Sequence, residues 1–433
     1  MIESFSVSNF RSIKDTQTLS FVSNKKMKND ADDSLLISVN DNMKLLKFGV
    51  LYGYNASGKS NILLAFDVLR NLALDGPRTK DGDTSYEPFA LDKRNMSQPS
   101  EFSLVFFIHT IRYSYDIAIT KKTILWEKLY FSPEGRKTCL YTRHYDEKAK
   151  VAKTTFGKAT GLLAKDKLVL NGNTLGNSSV LYAYQKTNIH SEELEKVVSF
   201  FKHSIMPLVT PKTNLLDWSL NKLDKDKTKR KFFISLMKKA DFQISNLEIQ
   251  NESKEISDKM IGLLESEGAP KVLVEQLKKE KKIDVKKLLF EHSLQNGIKK
   301  SFPVDEESEG TRRYFGLGGV LNELLKGETF LAIDELETSL HSDLVSFFLK
   351  MFLLNSKTSQ LFVTTHEQFL MDKDYMRNDM VWFCEKEDDG SSTYYQAQDF
   401  KLHKNVSLAN FYRSGKFGAV PELGNPVIGE VKK

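Results

Sequence analysis

The spacing of hydrophobic and polar positions changes several times along the chain, and each change marks a segment. From Ile2 to Phe21 the two kinds alternate around a turn-like Arg11-Ser12-Ile13-Lys14-Asp15, which predicts two strands. The polar stretch Asn24 to Ser34 predicts a loop. Lys47 to Tyr52 is a short apolar run that predicts a buried strand leading into a glycine-containing loop. Ile62, Leu63, Phe66, Leu69 and Leu72 then recur at helical spacing over Asn61 to Leu74. Between Phe102 and Phe131 the period returns to two. Phe102, Leu104, Phe106 and Ile108 alternate, as do Tyr113, Tyr115, Ile117 and Ile119, with Lys121-Lys122 where a turn belongs. Antiparallel sheet follows from that pattern.

From about 186 to 284 the chain reads as helical and strongly charged. Ser191 stands before Glu192 and Glu193, a helix start with an acceptor at the cap and acids in the first turn. Leu194, Val197, Val198, Phe201 and Ile205 form its apolar stripe. Further helices are expected over Thr228–Ala240 and over the lysine-rich stretch 271–282. No heptad is sustained, which argues against a long coiled coil. Asn296-Gly297 predicts a hairpin turn between Leu288–Leu294 and Ile298–Val304. A helix, a buried strand, a second helix and a second buried strand come after it. The expected organisation is an α/β domain split in sequence, with residues 1–185 and 285–433 enclosing a helical insertion at 186–284.

Composition narrows the class. In 433 residues, 40% hydrophobic and 28% charged, a core can form and wholesale disorder is excluded. No apolar run approaches the roughly 18–20 residues that span a bilayer. Met1-Ile2-Glu3-Ser4-Phe5 lacks the basic and apolar regions of a signal peptide. A cytoplasmic protein with no membrane partner is expected. Two cysteines, Cys139 and Cys384, build neither a disulfide framework nor a zinc spacing. The net charge of +6 permits a DNA partner without arguing for one. The lysines at 278, 279, 281, 282, 286 and 287 read either as a solvated face or as a phosphate-binding one, which leaves direct DNA binding open.

Chemistry concentrates at three places. Gly53-Tyr54-Asn55-Ala56-Ser57-Gly58-Lys59-Ser60 fits GxxxxGK[ST] between a strand and a helix. In that setting the backbone at Gly53, Asn55, Ala56, Ser57 and Gly58 and the helix start at Asn61 cradle phosphates. Lys59 reaches the β and γ oxygens, and the Ser60 hydroxyl can ligate Mg²⁺; ATP and Mg²⁺ are therefore expected. Thr329 to Glu335 is an apolar strand ending in two carboxylates. Asp334 belongs beside the Mg²⁺ site, and Glu335 is placed to act as general base toward water, which favours hydrolysis over binding alone. Leu361 to His366 is a further buried strand with a histidine at its tip.

The order of these motifs, with Ser308-Glu309-Gly310-Thr311 opening a helix before Asp334, resembles the ABC-type ATPase heads of the SMC and RecF group. The resemblance implies an α/β ABC-type P-loop head, a mixed sheet plus an antiparallel β subdomain, with an inserted helical lobe. It also implies that heads form a homodimer or higher homo-oligomer. Ser308 and Gly310 would then close over a γ-phosphate bound to the other protomer, while His366 contacts the γ-phosphate in its own. Two departures stand out. Glu307-Ser308-Glu309-Gly310-Thr311 replaces LSGGQ, and Thr338-Ser339-Leu340-His341 ends in histidine where many ABC heads have aspartate.

A closer resemblance covers nearly the whole chain. Val7 to Lys14, the phosphate loop, Glu307 to Arg313, Ile333 to His341 and Phe411 to Pro421 look like the RloA/AbiL-type ATPases, often classed as AAA domains, and like the ATPase of the PARIS defence system. That resemblance implies bacterial phage defence and a separately encoded effector, a nuclease or TOPRIM-like protein. In related heads the N-terminal strand-turn lies near nucleotide, so Arg11 is either a phosphate or adenine contact or a solvated turn residue. Glu385, Asp388 and Asp389 read as a polar hairpin turn and not as part of a fused nuclease.

Overall fold

The computed structural model describes all residues except 25–31, 78, 224–226, 241, 267, 269, 294–296, 404–405, 422–423 and 425–433. The chain divides into two units. One comprises Met1–Thr213, Glu323–Thr338 and Phe348–Lys433; the other comprises Asn214–Asn322 and Ser339–Phe347.

In the first unit the apolar run Phe48–Tyr52 forms a strand with all five residues buried. Gln360–Thr364 and Val381–Lys386 flank it, both parallel to it. Phe330–Ile333 pairs with the outer side of Gln360–Thr364, again in parallel, and Ser392–Gln396 closes the opposite edge antiparallel. Strands covered on both faces read as continuous apolar runs, which is why these segments were legible. Four parallel strands end on one edge, where sheets of this kind assemble their sites. Helix Lys59–Leu74 starts at that edge.

A second sheet holds seven antiparallel strands, among them Ile2–Ser8, Gln17–Ser20, Ser100–Ile108, Ile111–Ile119 and Ile124–Ser132. Phe66, on helix Lys59–Leu74, lies 5.1 Å from Phe5 and 4.6 Å from Phe330 between ring centroids, so one helix joins both sheets in a single core. Glu127 is fully buried within this antiparallel part. Its carboxylate accepts from the Tyr115 and Tyr141 hydroxyls at 3.0 and 2.6 Å and from the Val180 N–H at 2.9 Å. Burial pushes that carboxyl above its ordinary value, against the pull of the Arg143 cation.

The second unit is mixed, and this corrects the expectation of a helical lobe. Helices Leu215–Leu223, Lys227–Lys239, Asp258–Ser266 and Lys271–Glu280 accompany a three-stranded antiparallel sheet of Ile244–Glu255, Lys282–Ser293 and Lys299–Pro303. Most side chains of Ile244–Glu255 face solvent and only Ile244 and Leu247 are buried, so the strand carries no period-two signal. Phe315 packs its ring 4.8 Å from Phe233 and 5.4 Å from Phe290. On the same helix, Glu309–Leu324, a Cβ at Gly316 would stand 2.6 Å from that of Leu215, so the glycine permits close helix packing.

Several expectations hold with shifted bounds. Ser191 caps helix Glu192–Ser199 by accepting from the Leu194 N–H. That helix sits in the first unit, since Leu194, Val197 and Phe201 join its core; the second unit accordingly begins at Asn214 and not at 186. The hairpin after Lys282–Ser293 is observed through its paired strands, although Asn296 lies outside the described residues. Most of the loop expected over Asn24–Ser34 lies outside them too. Glu387 to Ser391 form a hairpin turn with Gly390 at φ 78°, the polar turn expected there. No described helix is long and apolar enough to cross a membrane.

Candidate active site

The phosphate loop leaves Tyr52 and enters helix Lys59–Leu74 through Gly58, whose φ of 114° suits glycine. A side chain at Gly58 would also collide with the Ser392 and Ser12 hydroxyls. Those two serines brace the loop. The Asn61 amide donates to Ser12 Oγ at 2.7 Å, Ser392 Oγ lies 2.8 Å from Ser12 Oγ, and the Ser392 N–H donates to the Ser12 carbonyl at 2.7 Å. Lys14 pairs with Asp389 at 2.9 Å on the same side. The N-terminal turn and the late hairpin thus hold the start of the helix between them.

Lys59 is buried and its Nζ donates to the Gly53 and Tyr54 carbonyls at 2.9 and 3.2 Å. Burial holds its ammonium below the usual lysine range, while Cys384, Asp334, Glu335 and Glu337 pull the other way. Ser57 Oγ, in the same loop, is buried with no hydrogen-bond partner among the described residues. Ser60 Oγ donates to Asp334 Oδ2 at 2.8 Å, which joins the phosphate loop to the carboxylate strand although a whole strand separates them in the sheet. That intervening strand ends in Thr364, whose hydroxyl donates to Asp334 Oδ1 at 2.6 Å and accepts from the Glu335 N–H at 2.8 Å.

Glu335 itself is exposed and adopts a φ of 51°, unusual for a non-glycine residue. His366 stands two residues beyond Thr364. Partial burial and the Lys59 cation hold its imidazole below the ordinary value, with Glu337, Glu335 and Asp334 opposing.

The structure therefore brings Lys59, Ser60, Asp334 and Glu335 together at one sheet edge, with His366 on the adjacent strand tip. Arg11 is turned to another partner: its Nε lies 2.7 Å from Glu87 Oε2, and its neighbour Ser12 makes the contacts to the loop helix. Ser308 and Gly310 belong to the second unit. There Ser308 Oγ accepts from the Thr311 N–H at 3.0 Å at the start of helix Glu309–Leu324, and a Cβ at Gly310 would lie 2.9 Å from the Ser339 carbonyl. Sequence reasoning missed Ser12, Ser392 and Thr364. Small hydroxyl residues are common in turns and strand ends, and only the fold shows which of them face a site.

Strand order and site define a P-loop α/β protein of ABC-type layout. The chain belongs to the family described as "AAA domain, putative AbiEii toxin, Type IV TA system", whose model matches residues 48–372, well over half of its length. Among solved structures it is similar to an SMC head domain from Thermotoga maritima, with 14% identity, 93% of this chain and 99% of that one covered, and a TM-score of 0.40. It is similar also to an SMC head bound to the C-terminal winged-helix domain of ScpA, with 13% identity, coverage of 94% and 99% and a TM-score of 0.41. These likenesses are distant, and the fold rests on the strand order above. No curated protein matches the chain.

Proposed function

We propose that the protein is an Mg²⁺-dependent ATPase whose paired heads act as a nucleotide-driven switch in antiphage defence, controlling a separately encoded nuclease-like effector. The observation that carries the ATPase reading is the 2.8 Å contact of Ser60 with Asp334, which joins the loop of Lys59 to the strand end bearing Glu335. The donor set fits the metal: a hydroxyl and a carboxylate are hard oxygen ligands of the kind Mg²⁺ takes. Ser60 and Asp334 would hold the ion, which when bound neutralises charge on the β- and γ-phosphates. Lys59 exchanges its two carbonyl partners for phosphate oxygens. Glu335, exposed at the strand end, takes the proton of the attacking water, and His366 would contact the terminal phosphate.

The family description supports a toxin and defence setting. The alternative, a RecF-like repair ATPase, would use a basic face. Two lysines of the charged stretch meet acids of their own unit, Lys278 with Glu265 at 2.7 Å and Lys281 with Asp258 at 3.0 Å. That pairing draws two cations of the stretch away from a phosphate-binding face. In a third reading the chain is a scaffold that binds ATP, turns it over slowly and sequesters a toxin partner.

Steady-state phosphate release by the purified chain, with Mg²⁺ and with EDTA, tests the activity. Turnover abolished by EDTA and unchanged by DNA is the expected result. DNA-stimulated hydrolysis would transfer the protein to the repair class, and absence of Mg²⁺-dependent turnover would leave only the scaffold.

A further inference from the structure

The turn after the catalytic strand carries a third carboxylate that the mechanism above does not use. Leu336 is fully buried, and its N–H donates to the Thr364 carbonyl at 3.1 Å. Thr338 closes the turn, its N–H donating to the Glu335 carbonyl at 3.1 Å and its hydroxyl to the same atom at 2.9 Å. With Leu336 anchored inward, Glu337 swings across to the neighbouring strand tip, where its Oε1 accepts from the His366 N–H at 2.7 Å. Its Oε2 is shut off from solvent and has no hydrogen-bond partner among the described residues.

We infer that Glu337 is a positioning residue, a carboxylate latch that fixes the backbone of His366 against the turn bearing Glu335. The contacts between the two tips form a series. Asp334 and the Glu335 N–H meet the Thr364 hydroxyl, the Leu336 N–H meets the Thr364 carbonyl, and Glu337 meets the His366 N–H. Of these contacts only the last reaches beyond Thr364, so among the described residues it ties the histidine to the turn bearing the base, while Thr365 and Glu367 on either side are held to the neighbouring strand by the Leu51 carbonyl at 3.3 Å and the Tyr52 hydroxyl at 3.2 Å. A carboxylate is suited to this because a charged acceptor makes a stronger bond to an N–H than a neutral one. The orphaned Oε2 makes the side chain expensive to bury for packing alone, which argues that the bond to His366 is the reason it is there.

The inference rests on the ATPase reading for its kinetic consequence, but the latch has a readout of its own. Misplacement of a reacting group by about 1 Å can cost on the order of 100-fold. Glu337→Ala should therefore lower kcat by roughly 10- to 100-fold, with KM for ATP changed far less. Glu337→Gln keeps a carbonyl acceptor at the same place and should recover most of the lost rate. Amide hydrogen exchange across Gln360–Leu370 should quicken in Glu337→Ala and stay near wild type in Glu337→Gln, whether or not the chain hydrolyses ATP.

Two results would overturn the latch: exchange in Glu337→Ala no faster than in wild type, or a Glu337→Gln variant as slow as Glu335→Gln, which would make Glu337 a chemical participant. A wild-type chain without turnover would overturn the ATPase reading instead, and the exchange measurement would still decide the latch.

Discussion

Ser60 on the helix that leaves the phosphate loop donates its hydroxyl proton to Asp334 Oδ2 at 2.8 Å, across an intervening strand. The two residues are far apart in sequence and have unrelated local environments, one at a helix start and one at a strand end. The parallel strand order alone puts them in contact. The Thr364 hydroxyl holds the other Asp334 oxygen, so the carboxylate is oriented before any ligand arrives.

Lys59→Ala removes the ammonium held over the loop carbonyls at Gly53 and Tyr54. A hydrogen bond to a charged group is worth about 1.5–3 kcal/mol, so ATP should bind at least roughly 10-fold more weakly to the folded variant. Calorimetric titration checks this. The same substitution should raise the pKa of His366 toward 6.5, because the lysine cation is one of the causes holding it down, and an NMR titration of the imidazole reads that change.

Glu335→Gln keeps the shape of the side chain and loses the base. Binding should persist while turnover falls, by about 10²–10⁴-fold for a general base. A drop of less than about threefold in steady-state phosphate release, against this expectation, would remove Glu335 from that role. Accumulation of an ATP-bound dimer, measured by light scattering, would support pairing of heads.

Ser308 is a helix cap in its own unit, so Ser308→Arg should cost about 1 kcal/mol of stability and leave ATP affinity nearly intact. Its loss of hydrolysis should be rescued in part by mixing with Lys59→Ala protein, because one composite site of such a dimer carries both lesions and the other carries none. No recovery with subunit exchange verified separately would mean that the sites are not shared, or that both must fire together.

Glu127 links pH to stability. Its folded carboxyl titrates above the ordinary 4.5 because it is buried. The folded state therefore binds its proton more tightly than the unfolded state, and this contribution is complete below 4.5 and is lost as pH rises through the folded value. The Tm difference between Glu127→Gln and wild type should shift in favour of the glutamine as pH rises from 4.5. Glu127→Ala, which strands two buried tyrosine hydroxyls and leaves the Arg143 cation unbalanced, should cost about 3–5 kcal/mol by denaturant titration.

Much of this was readable in order along the chain. The strands Phe48–Tyr52, Phe330–Ile333 and Gln360–Thr364 are buried on both faces, so burial wrote itself into unbroken apolar runs. The phosphate loop and the Asp334-Glu335 pair are local: their chemistry depends on neighbours in sequence, and spacing alone identifies them. The strand Ile244–Glu255 was illegible because its solvated face leaves no alternation to read. What only the tertiary structure decided is which distant residues share a surface. Arg11 and Ser12 are adjacent in the same turn, yet backbone geometry sends the arginine to Glu87 and the serine to the loop helix. Glu337 reads in sequence as one more acid after the catalytic pair. The buried anchor of Leu336 and the parallel register of two strands turn it onto the His366 N–H, and no local pattern encodes that contact.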